Sequence, residues 1–226
     1  MSRGFERTRT WIFDLDNTLY PCEYNLFAQI DVLITRYIME VTGLPHDEAR
    51  LLQKSYYRQY GTTLRGLMTG YGIDPDHYLK TVHDIDYSCV VQNTALTETI
   101  RSLPGRKFVF TNADIGHAEA VLTRIGGVGL FDGLFDIRAA DFTPKPARDA
   151  YERFLAAYGV DPARAAMFDD IEKNLLVPHE MGMATVHVIP GAGYRPVDRD
   201  HWESSRANDA AHIHHVTDDL VEFLAA

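Results

Sequence analysis

The chain has 226 residues, which is enough for one sizeable domain or for a main domain with a smaller insert. Hydrophobic residues make up 46% of the chain and charged residues 24%, which is typical of a folded protein and excludes a disordered one. The formal charge of −10 makes nucleic acid polymers and anionic membrane surfaces poor partners. A small phosphorylated metabolite remains compatible with this charge, because a metal ion and a lysine can reverse the field inside one pocket.

The cellular compartment is indicated only by what the sequence lacks. Two cysteines, Cys22 and Cys89, do not make a disulfide framework. The segment Met1 to Thr10 is polar and unlike a signal peptide, and no apolar run reaches the length of a membrane span. We therefore expect a cytoplasmic protein without membrane contact, as a monomer or a small homo-oligomer.

The first third of the chain is one strand followed by helices. A buried-type strand covers Thr10 to Phe13. Apolar residues then recur at three- and four-residue spacing, with capping residues and glycines at the expected ends. The predicted helices cover about 26–42, Pro45 to Tyr60, Thr62 to Thr69 and Asp74 to His83.

Strands and helices alternate after Asn93, which is typical of a parallel sheet. The predicted strands are Lys107 to Thr111, Leu134 to Ile137, Ala165 to Phe168, Met183 to Val188 and His212 to Val216. The predicted helices are Thr94 to Leu103, Asp114 to Gly126, Pro146 to Tyr158, Glu172 to Met181 and a last one capped by Thr217. We predict an α/β fold: a doubly wound, Rossmann-like parallel-sheet core (1–18 and 94–226) with an inserted all-helical cap domain (19–93).

Polar side chains cluster just past the predicted strand ends. Ligands of open α/β sheets bind at this edge, so these residues form the candidate site. A further candidate lies between two prolines, in a turn that would hold it near the same edge. The set is Asp14, Asp16, Thr111, Asn112, Lys145, Asp169 and Asp170.

Each residue type in this set has a chemical use. Several close carboxylates require a cation, and a site with few protein oxygen ligands suits Mg²⁺, which also binds substrate phosphate. One carboxylate can attack phosphorus and form an acyl phosphate. A second carboxyl can protonate the leaving oxygen and later deprotonate water. A lysine, a hydroxyl and backbone N–H groups can surround the phosphoryl oxygens.

Four motifs in order give the sequence a recognisable pattern. They are Asp14-Leu15-Asp16-Asn17-Thr18, Phe108-Val109-Phe110-Thr111-Asn112, Lys145 between Pro144 and Pro146, and Phe168-Asp169-Asp170 followed by Asn174. The set resembles the haloacid dehalogenase-like hydrolase superfamily. Each motif alone is weak, but the four together are specific.

The resemblance implies a role for each matching residue. Asp14 would be the nucleophile and a ligand of Mg²⁺. Asp16 would be the acid/base, with its main-chain carbonyl on the metal. Thr111 and Lys145 would hold phosphate oxygens. The remaining implied roles are phosphate binding by the main-chain N–H of Asn112, metal binding by the carboxylate of Asp170, and support of the metal site by Asp169 and Asn174.

Within the superfamily, the sequence is most similar to pyrimidine 5′-nucleotidase-type phosphatases. The residues that carry this likeness are Tyr20-Pro21 after the first motif and the segment Tyr60 to Leu67. We therefore expect a pyrimidine nucleoside 5′-monophosphate as substrate, with a pyridoxal-type phosphate or a small sugar phosphate as the next candidates. The residues expected to contact the substrate are Tyr20, Tyr60, Thr63 and Arg65.

Four other activities remain as alternatives. A haloacid dehalogenase needs no acid at the position of Asp16, and a phosphonatase would use a cap lysine, for which only Lys54 and Lys80 are available. A sugar-phosphate mutase shares Asp16 and is harder to exclude. A catalytically inactive binding module usually lacks the nucleophile or the metal acid, and both are present here.

Two further groups of residues have structural interpretations. His212, His214 and His215 fall on both faces of a short predicted strand, so we do not expect them to share a metal ion. Cys22 lies near the first motif, and we expect it to be a small packing residue.

Overall fold

The computed structural model describes residues 4–191 and 210–225, and its centre is a six-stranded parallel sheet. The strand order is β3-β2-β1-β4-β5-β6, so the order reverses on either side of β1. This is the doubly wound α/β architecture that the sequence predicts. The strands are β1 (Thr10–Phe13), β2 (Arg106–Phe110), β3 (Gly133–Phe135), β4 (Ala165–Asp169), β5 (Ala184–Val188) and β6 (His215–Thr217).

The central strands are buried on both faces, which explains their continuous apolar sequences. Phe13 pairs with Val109 on one side and with Phe168 on the other, and all three side chains are buried. One face of the sheet is covered by α5 (Thr94–Ser102), α6 (Ile115–Ile125) and α9 (Leu220–Ala225). The other face is covered by α7 (Arg148–Tyr158), next to which lies α8 (Leu176–Glu180).

The segment between β1 and β2 contains helices and, within its described residues, no strand. The four helices that precede α5 are called here the cap helices. They pack around a hydrophobic cluster of their own, which includes Ile38, Leu67 and Tyr78. The cap helices are α1 (Leu26–Thr42), α2 (His46–Tyr60), α3 (Thr63–Tyr71) and α4 (Pro75–Val82).

The packing bears on where the cap begins, although the division at residues 19 and 93 stays a prediction. Leu19, Leu26 and Val90 belong to the cluster that packs on the sheet. The cluster of the cap helices starts at Ile30 and also takes in Ile137 from beyond β3. The chain segments that lead from the sheet to the cap helices and back therefore pack with the residues of the sheet.

Several predicted elements begin or end a residue or more away from their observed bounds, and for three of them the local reason is clear. Strand β3 stops at Phe135, because the N–H of Ile137 donates to the carbonyl of Ala113. Strand β6 starts only at His215, because the preceding residues bond to Thr185: its hydroxyl donates to the carbonyl of His212 at 2.6 Å.

The predicted helix Glu172 to Met181 is split into a 3₁₀ turn (Glu172–Leu175) and α8. Pro178 lacks the N–H that would donate to the carbonyl of Asn174 in an α-helix. The hydroxyl of Tyr151 donates to that carbonyl instead, at 2.7 Å. The proline thus shifts the start of the α-helix, and a tyrosine from α7 satisfies the carbonyl it leaves open.

Over residues 4–191 and 210–225, no helix combines the length and apolarity that crossing a membrane requires.

Candidate active site

The parallel pairing of the strands brings the first, second and fourth motifs to one edge of the sheet. Asp14 directly follows β1, and its N–H donates to the carbonyl of Phe168 in β4 at 2.8 Å. Thr111 directly follows β2, and its N–H donates to the carbonyl of Phe135 in β3 at 3.0 Å. Asp169 is the last residue of β4. Hydrogen bonding between the strands thus continues one residue beyond β1 and β2. These bonds fix the backbone positions of Asp14 and Thr111 at the edge of the sheet.

Lys145 is the electrostatic centre of this edge. Its ammonium donates to Asp14 Oδ1 at 2.7 Å and to Asp169 Oδ2 at 2.6 Å, and the residue is only 2% exposed. The side chain of Asn112 holds its backbone: the Lys145 N–H donates to Asn112 Oδ1 at 2.8 Å, and Asn112 Nδ2 donates to the Lys145 carbonyl at 3.2 Å. The second and third motifs are therefore joined by two hydrogen bonds.

Asp169 is fully buried and has hydrogen bonds to both carboxylate oxygens. Besides the bond from Lys145, its Oδ1 accepts from the N–H of Ile171 and from Asn174 Nδ2, both at 2.9 Å. Asp169 therefore anchors Lys145 and the turn after β4, while the support of a metal site by Asp169 and Asn174 stays a prediction. His187 lies below the same turn, with Nε2 donating to the carbonyl of Asp170 at 3.1 Å.

The carboxylates at this edge carry more negative charge than Lys145 balances. Burial raises the pKa of Asp14 to about 7; Lys145 opposes this rise, and the nearby carboxylates of Asp169 and Asp16 add to it. Carboxylate oxygens of Asp14, Asp169 and Asp170 all lie within 4.8 Å of one another. Asn174 Oδ1 is buried in the same cavity without a hydrogen-bond partner among the described residues. Such a cluster fits a hard divalent cation bound by oxygen ligands.

Asp16 is held by two side chains whose role the sequence did not indicate. The hydroxyl of Tyr20 donates to Asp16 Oδ1 at 2.5 Å, and His117 Nε2 lies 2.8 Å from the same oxygen. Burial alone would raise the pKa of Asp16, but the charge and hydrogen bond of His117, helped by Tyr20, lower it. For His117, burial lowers the pKa, but the interaction with Asp16 outweighs it and raises the value.

A cavity of about 170 Å³ opens above these groups, between the sheet edge and the cap helices. Its floor contains Asp14, Asp16, Thr111, Lys145 and Asp170, together with Asn112 and Asn174. Its wall is mostly apolar and comes from the cap helices. The wall residues are Phe27, Ile30, Ile34, Tyr57, Leu64, Tyr78, Leu79 and Val82, with Thr62, Thr63 and His83 as polar members.

The structure places three of the four predicted substrate residues outside the lining of this cavity. Tyr20, Tyr60 and Arg65 do not line the cavity: Tyr20 is 2% exposed and holds Asp16, and Tyr60 packs edge-on against Tyr56 at 5.6 Å. Thr63 does line the cavity, although its hydroxyl donates to the carbonyl of Gln53.

The tyrosines that reach the cavity are Tyr57 and Tyr78. Helical spacing predicted an apolar face along the cap helices. It did not predict which residues of that face lie next to the edge of the sheet and so line the cavity. The sequence therefore gave no signal that would have distinguished Tyr57 from Tyr60.

His212 and His214 lie close to hydrogen-bonding groups of the protein. Among the described residues, only the three aspartates above form a group of three or more ligating side chains. His212 Nε2 lies 3.3 Å from the carbonyl of Glu172, and His214 Nδ1 lies 2.9 Å from the hydroxyl of Thr185. Cys22 is buried, as expected of a packing residue.

Comparison with known proteins agrees with this geometry. A family model described as haloacid dehalogenase-like hydrolase matches residues 8–182, which is well over half of the chain. The chain is also similar to Phosphate metabolism protein 8 of Saccharomyces cerevisiae, with 28% identity over 215 residues, covering 85% of this chain and 66% of the yeast protein. It thus spans slightly less than two thirds of that relative's length.

Solved structures with the same fold include both phosphatases and dehalogenases. A HAD phosphatase from Thermococcus onnurineus has a TM-score of 0.59 and 16% identity, covering 96% of either chain. The L-2-haloacid dehalogenase RSc1362 has a TM-score of 0.56 and 17% identity, covering 97% of this chain and 99% of that chain. At such low identity these likenesses establish the fold alone, so the side chains of the site must decide between the activities.

Proposed function

The chain belongs to the haloacid dehalogenase-like hydrolase family, and from this premise we propose that it is a phosphomonoesterase in which Asp14 is the nucleophile. The observation that carries the proposal is the arrangement around Asp14. A buried ammonium, Lys145, lies 2.7 Å from its carboxylate, while Thr111 and a second carboxyl, Asp16, line the same cavity. Cationic and hydrogen-bonding groups around a carboxylate nucleophile are what transfer of a phosphoryl group requires.

In the first step a carboxylate oxygen of Asp14 attacks phosphorus, and the bond from phosphorus to the ester oxygen breaks. The Lys145 ammonium and the Thr111 hydroxyl would hold phosphoryl oxygens. Thr111 Oγ1 accepts the N–H of Ala113 at 3.0 Å, so the hydroxyl proton remains for a ligand. The leaving oxygen takes a proton from Asp16, whose pKa rises when a phosphate dianion approaches.

In the second step water attacks the phosphoaspartate and gives a proton to the ionised Asp16. The bond between Asp14 and phosphorus breaks, which releases phosphate and restores the carboxylate. The low pKa of free Asp16 suits this step, because His117 and Tyr20 favour its ionised form. One residue thus serves as acid and then as base, and the proton it loses in the first step is recovered in the second.

A Mg²⁺ ion would be held by the carboxylates of Asp14 and Asp170 and by the main-chain carbonyl of Asp16. When bound, it would neutralise the phosphate charge that approaches an already acidic edge. Asp169 is the poorer ligand of the cluster, since hydrogen bonds already engage both of its oxygens. Magnesium dependence is therefore part of the proposal and is tested below.

A dehalogenase is the competing activity that the shared fold allows. Displacing a halide needs no proton on the leaving group, and such an enzyme has no use for an acid beside its nucleophile. Here Asp16 lines the cavity and is held by two hydrogen bonds. This favours an ester substrate, whose leaving oxygen must be protonated.

The cavity wall supports a flat, largely apolar leaving group. Among its lining residues the only side-chain cation apart from histidine is Lys145, which is already paired with two carboxylates, so a second anionic group would be poorly bound. An apolar cavity of about 150 Å³ can hold benzene, and the cavity here has about 170 Å³. In this conformation it suits one six-membered ring better than a bicyclic purine. We propose a pyrimidine nucleoside 5′-monophosphate, with a pyridoxal-type phosphate as second candidate because it has a single ring and no ribose.

The test is a phosphate-release screen with purified protein. Catalytic efficiencies for uridine and cytidine monophosphates would be compared with those for purine nucleotides, pyridoxal phosphate and hexose phosphates, with Mg²⁺ and with excess chelator. We expect single-ring substrates to lead and activity to vanish in chelator. A large advantage for a hexose phosphate would overturn the substrate, full activity in chelator would overturn the metal, and no release from any ester would overturn the proposed function.

A further inference from the structure

Next to Asp16 lies a largely buried network of side chains, of which the steps above use only the effect on the pKa of Asp16. Its centre is His117, which is 1% exposed and lies in the first turn of α6. The network also contains Tyr20, Tyr87 and His83, which come from three other segments of the chain. Burying an imidazole beside a carboxylate is costly unless both are well paired, so the arrangement calls for an explanation.

Both hydrogen bonds to the Asp16 side chain end on one oxygen. Tyr20 and His117 engage Oδ1 at 2.5 and 2.8 Å, and among the described residues no hydrogen bond engages Oδ2. The Asp16 side chain is 17% exposed and lines the cavity. One oxygen is thus fixed by the protein, and the other remains for a ligand in the cavity.

His117 donates to Asp16 Oδ1 through the same ring nitrogen, whether its ring is neutral or charged. A carboxylate has no proton to give, so Nε2 of His117 must carry the hydrogen whether the ring is neutral or charged. The other ring nitrogen, Nδ1, lies 3.0 Å from the Tyr87 hydroxyl, which can accept from it or donate to it. The arrangement therefore fixes the orientation of the ring as well as its position.

Neighbouring groups keep His117 from moving. Asp114 caps α6 by accepting the N–H of His117 at 2.9 Å. The ring of His83 stacks on that of His117 at 4.6 Å between centroids. His83 also lines the cavity, directly after α4, and its Nδ1 lies 3.1 Å from Asp114 Oδ1. The end of a cap helix and the start of α6 thus hold the ring between them.

From this geometry we propose that His117 is a positioning residue for Asp16: together with Tyr20 it fixes Oδ1, so that Oδ2 is presented to the leaving oxygen of the substrate. This inference rests on the proposed phosphatase function and goes beyond it by naming the groups that aim the acid. His117 contacts neither the substrate nor the phosphoryl group and acts only through Asp16. Misplacing a catalytic group by a fraction of its hydrogen-bond length is enough to reduce turnover strongly.

The experiment compares two esters in three variants. His117→Ala removes the donor, His117→Gln can place an amide N–H near the position of Nε2, and Val121→Ala removes buried bulk from the same helix without touching Asp16. The substrates are an alkyl phosphate such as uridine monophosphate and 4-nitrophenyl phosphate, whose phenol leaves without a proton. Melting temperatures of all variants are measured alongside kcat and KM.

We expect His117→Ala to lower kcat for the alkyl ester about 10- to 100-fold, which is part of the roughly 10²- to 10⁴-fold that general acid catalysis contributes, with little change in KM. For the aryl ester the loss should be several-fold smaller, and His117→Gln should recover most of the alkyl activity. Val121→Ala should lose stability but keep the ratio of the two activities.

Equal losses on both esters in His117→Ala, or His117→Gln as impaired as alanine, would overturn the positioning role. These results differ from failure of the proposed function itself, in which the wild-type protein would release no phosphate from either ester.

Discussion

Replacing Asp14 by asparagine should stabilise the protein in the absence of metal while abolishing its turnover. Burial, the largest effect, raises the pKa of Asp14 from its ordinary 3.8 to about 7, even though Lys145 acts in the opposite direction. A carboxyl whose pKa is raised by folding stabilises the unfolded state once the pH exceeds 3.8, because the unfolded chain ionises more readily. Asparagine has no charge to lose, so the variant escapes this penalty.

The size of the effect follows from the shift. About three pKa units at about 1.4 kcal/mol each give an upper value of about 4 kcal/mol above pH 7. In a protein of this length, 1 kcal/mol corresponds to about 2–4 °C in Tm, so the variant should melt up to about 8–16 °C higher. The difference in Tm between the variant and the wild-type protein should be small near pH 4. It should grow as the pH rises to about 7 and stay constant above that pH.

The assay is thermal unfolding of both proteins in excess chelator between pH 4 and pH 8. Asp84→Asn, an exposed aspartate in the loop after α4, is the control for loss of one surface charge. Adding Mg²⁺ should then raise the Tm of the wild-type protein and narrow the gap, since the ion needs the Asp14 carboxylate. A variant that melts below the wild type in chelator at pH 8 would refute the electrostatic reasoning.

Three further substitutions test other parts of the account. Lys145→Met leaves Asp14 and Asp169 without their shared ammonium and should cost about 3–5 kcal/mol in urea unfolding; a loss below about 1 kcal/mol would contradict the bridging role. Asp16→Asn should lower kcat for an alkyl phosphate about 10²- to 10⁴-fold and for an aryl phosphate less, and equal activity of parent and variant on the alkyl ester would disprove the acid/base assignment. Gly105→Ala should cost at least about 2 kcal/mol, because φ is +87° and a Cβ would lie 2.2 Å from the carbonyl oxygen of Arg9. The matched control Gly72→Ala, with φ +61° and open space, should cost clearly less in the same melts.

The sheet and its edge could be predicted because the signals are local. A short apolar run followed by acidic residues predicts a buried strand. It also predicts that these acids lie at the edge of the sheet where the parallel strands end. Thus Asp14 and Thr111 could be placed at one edge before the fold was seen. The two prolines around Lys145 indicated a rigid turn near the same edge. In the structure the Lys145 ammonium donates to Asp14 and to Asp169.

The partners of Asp16 and the wall of the cavity could not be predicted in the same way. His117 lies 101 residues from Asp16 in sequence. From the sequence alone, nothing distinguishes it from any other histidine in the first turn of a helix. Its position three residues after the capping Asp114, just beyond the second motif, is a signal that could have identified it. Tyr57 and Tyr60 lie three residues apart near the end of one helix, and which of them reaches the cavity depends on how the cap helices pack on the sheet.

The most direct test of the central claim is to trap the covalent intermediate on Asp14. Asp16→Asn would be mixed with 4-nitrophenyl phosphate and Mg²⁺, quenched in acid and weighed by intact mass spectrometry. The acyl phosphate would then be reduced with borohydride and mapped by peptide sequencing. The account predicts one added phosphoryl group per chain, with the reduced residue at position 14 and none in the Asp14→Asn, Asp16→Asn double variant. Nitrophenol release without any phosphorylated protein, or phosphorylation at another residue, would contradict it.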